Sequence, residues 1–456
     1  MAGIQASGVG SGLDIASLVA QLVASERAPL DGRLARRESA TTVEISGLAA
    51  LKNGMTALRD GLAGLNSAAA FSARTANSSD AAIFTATATS EVQPGEYGIE
   101  VVNLATAHKL ASTAFVAGRD AVVGTGTLTI SFGTKTLTVA IDAEHDTLSQ
   151  IRDAINSASG NDGVSASILN EAGGSRLVLA ARATGAANAI TITQSGGDGG
   201  LAQLVFDPGA PLANTMTETA AVDAWVRVNG YDFHSASNNV TGAIDGLTLA
   251  LKKPDDGVEY TLTVANDTAS TTAKIKKFVA DYNALAKIFG NLQAYDPVSR
   301  KGGALLGDAF VRGVQDQLRR DLSAEVDSTS GYSSLASLGI RTDATGLLTI
   351  DDTKLKAALA SDFDGVARLF AGDDGVAKRM HARLEASLKA DAQLALRNDA
   401  LNKTIKSLAK DREAVDRRME SVEARYRAQF TALDKLLSQM QSTGNYLTQQ
   451  LAALNR

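Results

Sequence analysis

The side chains that most often carry out chemistry in proteins are scattered along this sequence. The four histidines are His108, His145, His234 and His381, and none of them has the spacing of an HxxxH or HExxH metal motif. We interpret them as isolated surface or turn residues. The sequence has no cysteine, which excludes disulfide bonds, cysteine-ligated zinc and thiol catalysis.

Neighbouring carboxylates offer a second kind of chemistry, either general acid–base catalysis or calcium binding. They occur in three places, at Asp351/Asp352, Asp362/Asp364 and Asp373/Asp374. None of these places has the D-x-[DN]-x-[DN]-G-x5-E pattern of a calcium loop. We therefore interpret them as solvated helix caps and turns.

The sequence also lacks the motifs that bind phosphate groups or activate a serine. Residues Gly126–Lys135 ("GTLTISFGTK") have the wrong loop length for a phosphate-binding loop and lie in a strand pattern. Residues Gly10–Asp14 ("GSGLD") do not follow a strand, as a nucleophile elbow requires. The sequence therefore contains no identifiable catalytic residues of an extracellular hydrolase. We expect the protein to have no enzyme activity, no cofactor and no metal.

Composition narrows the class of protein further. The chain has 456 residues, a formal net charge of −6 and only 5% aromatic residues. This length predicts about two to four domains. The scarcity of aromatic rings favours aliphatic cores over ring-lined ligand pockets. The acidic balance argues against a nucleic-acid partner, and the absence of a long apolar run argues against membrane insertion.

The elements that would position any functional residue begin with an amphipathic helix near the amino terminus. Its apolar residues follow helical spacing from Ile15 to Val23, and Asp14 is the expected N-cap. Residues 1–26 contain no Lys or Arg, so we do not interpret this segment as a secretory signal. Pro29 is expected to end or kink the helix near Ala28, and a second helix is predicted over about residues 45–65.

The middle of the chain has the alternation of β-strands. From about residue 80 to 265, apolar residues alternate with Thr, Ser or charged residues, which predicts antiparallel sheets. One helix interrupts them at "DTLSQIRDAINSA", with Asp146 as its expected N-cap. Glycine-rich stretches at Ser195–Gly200 and Asp207–Pro211 are predicted to be surface loops and domain edges.

Helices return after Thr268. The first of them is predicted to bury Ile275, Phe278, Val279, Tyr282 and Leu285. A turn at residues 343–346, a short strand "LLTI" and a helix capped by Asp351 or Asp352 follow. Residues 377–454 have a nearly continuous helical pattern, with a local break expected near Gly444.

We therefore predict an α+β multidomain fold. The two terminal helices pair as a coiled-coil leg, a helical and mixed layer follows, and two β-rich antiparallel outer domains are inserted in the middle. The predicted domains are residues 1–41 with 415–456 (leg), 42–77 with 268–414 (mixed), 78–108 with 220–267 (β-rich) and 109–219 (outer β-rich).

The apolar stripes at the two chain ends are the strongest functional signal. We expect them to extend beyond what a helix hairpin can cover, and an exposed stripe of this kind is typically satisfied by other subunits. The residues predicted to bind partners are Leu18, Val19, Leu22, Val23, Leu433, Leu437, Met440, Leu447 and Leu451.

Five stretches together resemble one family, flagellar hook-associated protein 2, the bacterial filament cap (FliD). They are "GVGSGLDIASLVAQLVASERAPLDGRLAR" near the start, "VNGYDFHSASNNVTGAIDGLTLALKK" in the middle, "LASLGIRTDATGLLTIDDTKLKAALASDFDGVARLF", "RYRAQFTALDKLLSQMQSTGNYLTQQLAAL", and "DTLSQIRDAINSA" with the strands that follow it. The last of these is similar to the IN module that flagellin and hook proteins share.

The resemblance implies a homo-oligomeric ring at the distal end of the flagellar filament, often a pentamer, with tetramers and hexamers in the family. It implies flagellin and the hook–filament junction proteins as partners, and an export chaperone that binds residues 433–454. It also implies secretion through the flagellar type III channel to the extracellular filament tip. The ring would promote folding and insertion of exported flagellin and prevent its loss.

One alternative function stays open at this stage. The outer β domains could make the protein an adhesin for mucin or glycan, through exposed loops such as residues 188–200. Stepping of a cap also requires flexible points, and the composition makes Ser72–Ser79 ("SARTANSS") and the Pro29 region candidate hinges.

Overall fold

The computed structural model describes residues 14–326 and 331–454. They form two compact units. The helical unit contains the described residues of 1–70 and 268–456, and the β unit contains residues 71–267. The described helices are α1 (Ile15–Ala63), α2 (Leu148–Ser157), α3 (Thr268–Gln293), α4 (Ala309–Ser323), α5 (Asp352–Ser361), α6 (Phe363–Ala371), α7 (Val376–Leu388) and α8 (Gln393–Leu454).

Helix α1 begins where the sequence predicts but does not stop at its proline. The Asp14 carboxylate accepts a hydrogen bond from Ser17 N at 3.1 Å, which confirms the N-cap. The helix then continues through Pro29 to Ala63, so the prediction that it ends near Ala28 is wrong, and the alternative of a kink stays a prediction. A proline removes one helical hydrogen bond. Arg27 pairs with Asp31 across this turn at 2.8 Å and also with Asp416 of α8.

The two terminal helices pair antiparallel, as predicted. Ion pairs join α1 to α8 along their length, since Arg27 contacts Asp416, Glu38 contacts Arg412 at 2.8 Å and Glu44 contacts Arg397. As the residue number rises along α1, the number of the paired residue in α8 falls, so the two helices run antiparallel. Helix α8 also runs without interruption through Gly444, so the expected local break is absent.

Helix α3 packs against α1, α4 and α5 within the helical unit. All five residues predicted for its buried face are buried, and Phe278 meets Phe370 of α6 edge-on, with ring centroids 6.2 Å apart. Two hairpins complete the unit, β16 (Tyr295–Asp296) with β17 (Lys301–Gly302) and β18 (Ile340–Thr342) with β19 (Leu348–Ile350). The turn between β18 and β19 and the Asp351 cap of α5 are as predicted.

The β unit contains the remaining strands, and every pair between them is antiparallel, as predicted. The strands are β1 (Arg74–Ser78), β2 (Phe84–Ala88), β3 (Gly95–Asn103), β4 (Ala107–Ala111), β5 (Gly126–Phe132), β6 (Lys135–Ile141), β7 (Val164–Glu171), β8 (Gly174–Thr184), β9 (Ile190–Ser195), β10 (Thr217–Thr219), β11 (Ala224–Val228), β12 (Tyr231–Ser235), β13 (Asn239–Thr241), β14 (Leu247–Leu251) and β15 (Tyr260–Asn266).

These strands enclose two hydrophobic cores. One core is built from residues 83–105 and 224–264, between sheets of order β1-β15-β3-β11-β12 and β13-β14-β2. The other is built from residues 110–216, with sheets of order β10-β4-β8-β7 and β6-β5-β9 and helix α2. The predicted boundaries of the finer domains stay a prediction.

Local details of the β unit differ from the sequence-based expectations. The N-cap of α2 is Thr147, not Asp146, and it forms a reciprocal capping box with Gln150. Residues 72–79 contain strand β1, which pairs with β15, and the hinge expected in this stretch stays a prediction. The loop Ser195–Gly200 is exposed, as predicted for a surface loop. Its backbone also approaches a neighbouring segment closely, because a Cβ on Gly197 would lie 1.9 Å from Thr125 O.

Candidate functional site

An apolar stripe runs along the carboxy-terminal part of α8. We call Leu433, Leu437, Met440, Leu447 and Leu451 the terminal stripe. Leu433, Met440 and Leu447 are spaced by sevens, as are Leu437, Gly444 and Leu451, so together they form one seam of the helix. The exposed fractions of Leu433, Met440, Leu447 and Leu451 are 44%, 65%, 55% and 62%, and Leu437 is half-buried.

The lengths of the paired helices explain this exposure. From the Arg27–Asp416 ion pair, α8 continues to Leu454, whereas the described part of α1 reaches back only to Ile15. At about 1.5 Å of rise per residue, α8 extends roughly 40 Å past the described start of α1. Within residues 14–326 and 331–454, no helix covers that part of the seam.

The amino-terminal residues predicted to bind partners lie in a different environment. Val19 is only 2% exposed and Leu18 and Val23 are half-buried, whereas Leu22 is 39% exposed. Antiparallel pairing brings this part of α1 beside α8, whose Met419 and Val422 are also buried. The sequence predicted that the apolar stripe at the amino-terminal end of the chain would also be exposed in a single subunit, and this prediction is wrong for Val19. Its predicted role between subunits stays a prediction.

An ion-pair network that the sequence did not predict holds the base of α8. Arg397 contacts both Glu44 of α1 and Asp308, the N-cap of α4. Burial acts to raise the pKa of Asp308, but hydrogen bonds from Arg397 and from Val311 N bring that pKa below its usual value. The network therefore connects three helices through a charged group that is mostly inaccessible to water, since the Asp308 side chain is 8% exposed.

The structure does not bring the four histidines together. His145 contacts Asp142 at 2.7 Å, His234 stacks on Trp225 and His381 lies 3.9 Å from Glu385. Among the residues that the structure describes, no group of His, Asp and Glu side chains is arranged to hold a metal ion.

His108 is buried, which corrects its interpretation as a surface residue. Ile190 N donates to His108 Nδ1 at 2.9 Å, so Nδ1 is the acceptor nitrogen. Nε2 therefore carries the proton and donates to Glu218 Oε1, also at 2.9 Å. With both ring nitrogens satisfied, His108 supports the second core of the β unit structurally.

The carboxylate pairs serve as caps and turns. Asp351 accepts from the backbone N–H groups of Thr353 and Lys354, both at 3.1 Å, and Asp362 accepts from Gly365 N at 2.8 Å. A hydrogen bond from Lys378 lowers the pKa of Asp373. These contacts confirm the cap assignments.

The fold and the exposed seam define a multidomain α+β protein, and within the described residues the pairing of its terminal helices leaves an apolar surface of α8 exposed. No helix in the described part of the chain has the length and apolar character that a bilayer-spanning segment needs.

Models of the flagellar hook-associated protein 2 N-terminus and C-terminus match residues 11–108 and 221–442, and the flagellin hook IN motif matches residues 127–183. The last match confirms the IN module predicted from the sequence.

Similarity to relatives extends over the whole length. The chain is 37% identical to the B-type flagellar hook-associated protein 2 of Pseudomonas aeruginosa, over 100% of this chain and 98% of that protein. It is 36% identical to flagellar hook-associated protein 2 of Escherichia coli K12, over 99% and 98%. A crystal structure of the D1-D2-D3 domains of the Escherichia coli flagellar cap protein FliD matches with a TM-score of 0.65 and 35% identity, over 78% of this chain and 99% of that one.

The chain belongs to the flagellar hook-associated protein 2 family, as the sequence resemblance indicated. The multidomain α+β prediction is confirmed as well. The alternative function of a mucin or glycan adhesin is not supported, because these relatives are named for the hook or for the flagellar cap.

Proposed function

We propose that this protein caps the distal end of a bacterial flagellar filament and promotes folding and insertion of exported flagellin. Full-length similarity to flagellar hook-associated protein 2 and to the flagellar cap protein FliD supports this function. The observation within this chain that carries the proposal is the terminal stripe, which is exposed in the single subunit. The role is structural and not enzymatic.

The terminal stripe supplies the attachment energy in this proposal. Each large apolar side chain is worth roughly 1.5–3 kcal/mol when fully buried, so a few of them are sufficient for attachment. Ordering and lost freedom offset much of this gain. Each leg then binds weakly enough to release, while the other legs of a ring keep the cap attached.

The partners of the stripe are flagellin and neighbouring cap subunits. We further propose that the subunits form a homo-oligomeric ring and that the protein is exported through the flagellar channel. Before export, a chaperone binds residues 433–454. Contacts with hook–filament junction proteins and an extracellular position at the filament tip follow from the same function. A helix with an exposed apolar seam can pack against an apolar helix or groove of each of these partners.

Two double variants of α8 test the stripe. Met440→Asp with Leu447→Asp places two charges in the seam, whereas Ser442→Asp with Gln449→Asp places two charges at the same spacing on the opposite face. In cells that lack the native cap gene, we expect only the seam variant to release unpolymerised flagellin into the medium and to form no filaments.

Immunoblotting of the medium for the cap protein itself provides the control for export. A seam variant that is exported and still supports normal filaments contradicts the role of the stripe. Loss of filaments with both variants to the same extent contradicts it as well, because the face of the helix would then be irrelevant.

A further inference from the structure

The helical unit contains a cleft that takes no part in the proposed cap function. Its volume is about 660 Å³, and it lies between α3, the end of α4, the 3-10 turn Leu335–Leu338 and strand β18. The lining residues that matter here are Tyr282, Arg319, Leu322, Leu335, Ile340 and Arg341.

The floor of the cleft is apolar and already ordered. Leu322, Leu335 and Ile340 are 7%, 3% and 2% exposed, so their positions are fixed by the surrounding core. Tyr282 is buried beside them, and this burial raises the pKa of its hydroxyl group. A ligand that enters the cleft therefore meets a preformed apolar surface with one phenol at its edge.

The lining of the cleft includes two arginines, Arg319 and Arg341, that form no ion pair within the described residues. Arg27, Arg383 and Arg397 of the same unit each pair with carboxylates. Arg319 and Arg341 are exposed and pair with no carboxylate within residues 14–326 and 331–454. Glu325 is the single acidic residue among the described residues of the lining.

Arg319 is also held in position. Its guanidinium lies close enough to Tyr282 to act against the rise in the pKa of the Tyr282 hydroxyl group, and it also lies over the turn between β18 and β19. At that turn Gly346 has a φ of +84°, and an added Cβ would lie only 3.1 Å from Arg319 Nη2. Arg341 is on β18 of the same hairpin, and both arginines line the cleft.

From this arrangement we infer that the cleft binds an acidic segment of a protein partner. A carboxylate of that segment lies between Arg319 and Arg341, where planar guanidinium groups form charge-assisted hydrogen bonds with it. An apolar side chain next to the carboxylate packs on the floor. The cleft is too large and too apolar for a small inorganic anion alone, and its open rim accommodates a chain that continues on both sides.

A pair of peptides tests the inference on the full-length protein. Acetyl-Ala-Leu-Glu-Leu-Ala-amide is titrated calorimetrically, and the matched peptide with Gln in place of Glu serves as the control ligand. We expect the Glu peptide to bind and the Gln peptide to bind about tenfold more weakly, because only the carboxylate can pair with the two cations. Binding should also weaken when the ionic strength rises from about 0.05 M to about 0.5 M.

Three single variants then locate the site. Arg319→Gln and Arg341→Gln should each weaken binding of the Glu peptide about fivefold, since each removes one charge-assisted contact. Arg320→Gln removes a cation from the same helix outside the cleft and should leave binding unchanged. If Arg319→Gln unfolds the unit, as judged by circular dichroism, Arg341→Gln on the exposed strand still decides the question.

Equal binding of the two peptides overturns the inference, as does undiminished binding in both cleft variants. Failure of the Glu peptide to bind at millimolar concentration also overturns it. None of these outcomes bears on filament capping, because the peptide titration does not involve the terminal stripe.

Discussion

Replacing Arg397 with Gln is expected to destabilise the helical unit by about 2 kcal/mol at neutral pH. The change removes the charged contacts with Glu44 and Asp308, and it leaves the Asp308 carboxylate 8% exposed without its cation. A fully buried pair that loses one partner costs about 3–5 kcal/mol. The smaller figure applies here because Glu44 is 29% exposed and Asp308 keeps hydrogen bonds from Phe310 N and Val311 N.

The pH dependence of this loss gives a second, independent check. The pKa of Asp308 lies below its usual value in the folded protein. Its ionised form therefore contributes stability above the unfolded pKa of about 3.9, and this contribution is lost as the pH falls through the folded pKa. Without Arg397, the pKa of Asp308 should rise from its value in the wild type, because burial still acts to raise it and the cation no longer opposes that effect. The stability difference between wild type and variant should shrink below about pH 4.

Urea denaturation followed by far-ultraviolet circular dichroism measures the effect, since most of the helix belongs to the helical unit. Fluorescence of the single tryptophan, Trp225 on β11, reports on the β unit and should not change. Arg412→Gln is the matched control because its pair with Glu38 is 48% and 44% exposed, so its loss should cost less than about 1 kcal/mol. Equal losses in the two variants, or a loss that is the same at pH 7 and pH 3, would refute the reasoning.

Three further predictions concern the helix ends and the proline. Val19→Ala should destabilise the pairing of α1 with α8 by about 2 kcal/mol, because Val19 is buried. Leu22→Ala should change the stability of this pairing by less than about 0.5 kcal/mol, because Leu22 is exposed. Amide hydrogen exchange along α1 measures both effects. Pro29→Ala should stabilise α1 by about 1–3 kcal/mol by restoring a helical N–H, and a lower melting temperature would contradict a continuous helix. Thr147→Ala should cost about 1 kcal/mol through loss of the capping box, measured as faster hydrogen exchange in α2 with no change in α3.

Features that depend on nearby residues were predictable from the sequence. The buried face of α3 follows from the spacing of Ile275, Phe278 and Tyr282, because helical periodicity alone brings them to one side. The caps Asp14 and Asp351 follow from short-range hydrogen bonding by carboxylates. The family was recognised from several such local motifs in register.

Features that depend on distant residues were not predictable. The pairing of Arg27 with Asp416 of α8 joins residues that are far apart in sequence. His108 has no special neighbours in sequence, and its burial depends on Glu218 and Ile190. The exposed arginines around the cleft belong to ordinary surface patterns until the fold brings α4 and β18 together.

If the terminal stripe binds a partner as proposed, the free length of α8 acts as a lever arm. Leu451 lies roughly 50 Å along the helix from Asp416, the last residue that an ion pair ties to α1. A long helix bends gently, and a tilt of about 5° at its base would move the tip by roughly 4 Å, close to the width of one side chain. Small thermal deflections therefore sample neighbouring positions on a receiving surface, while the anchored base keeps its register.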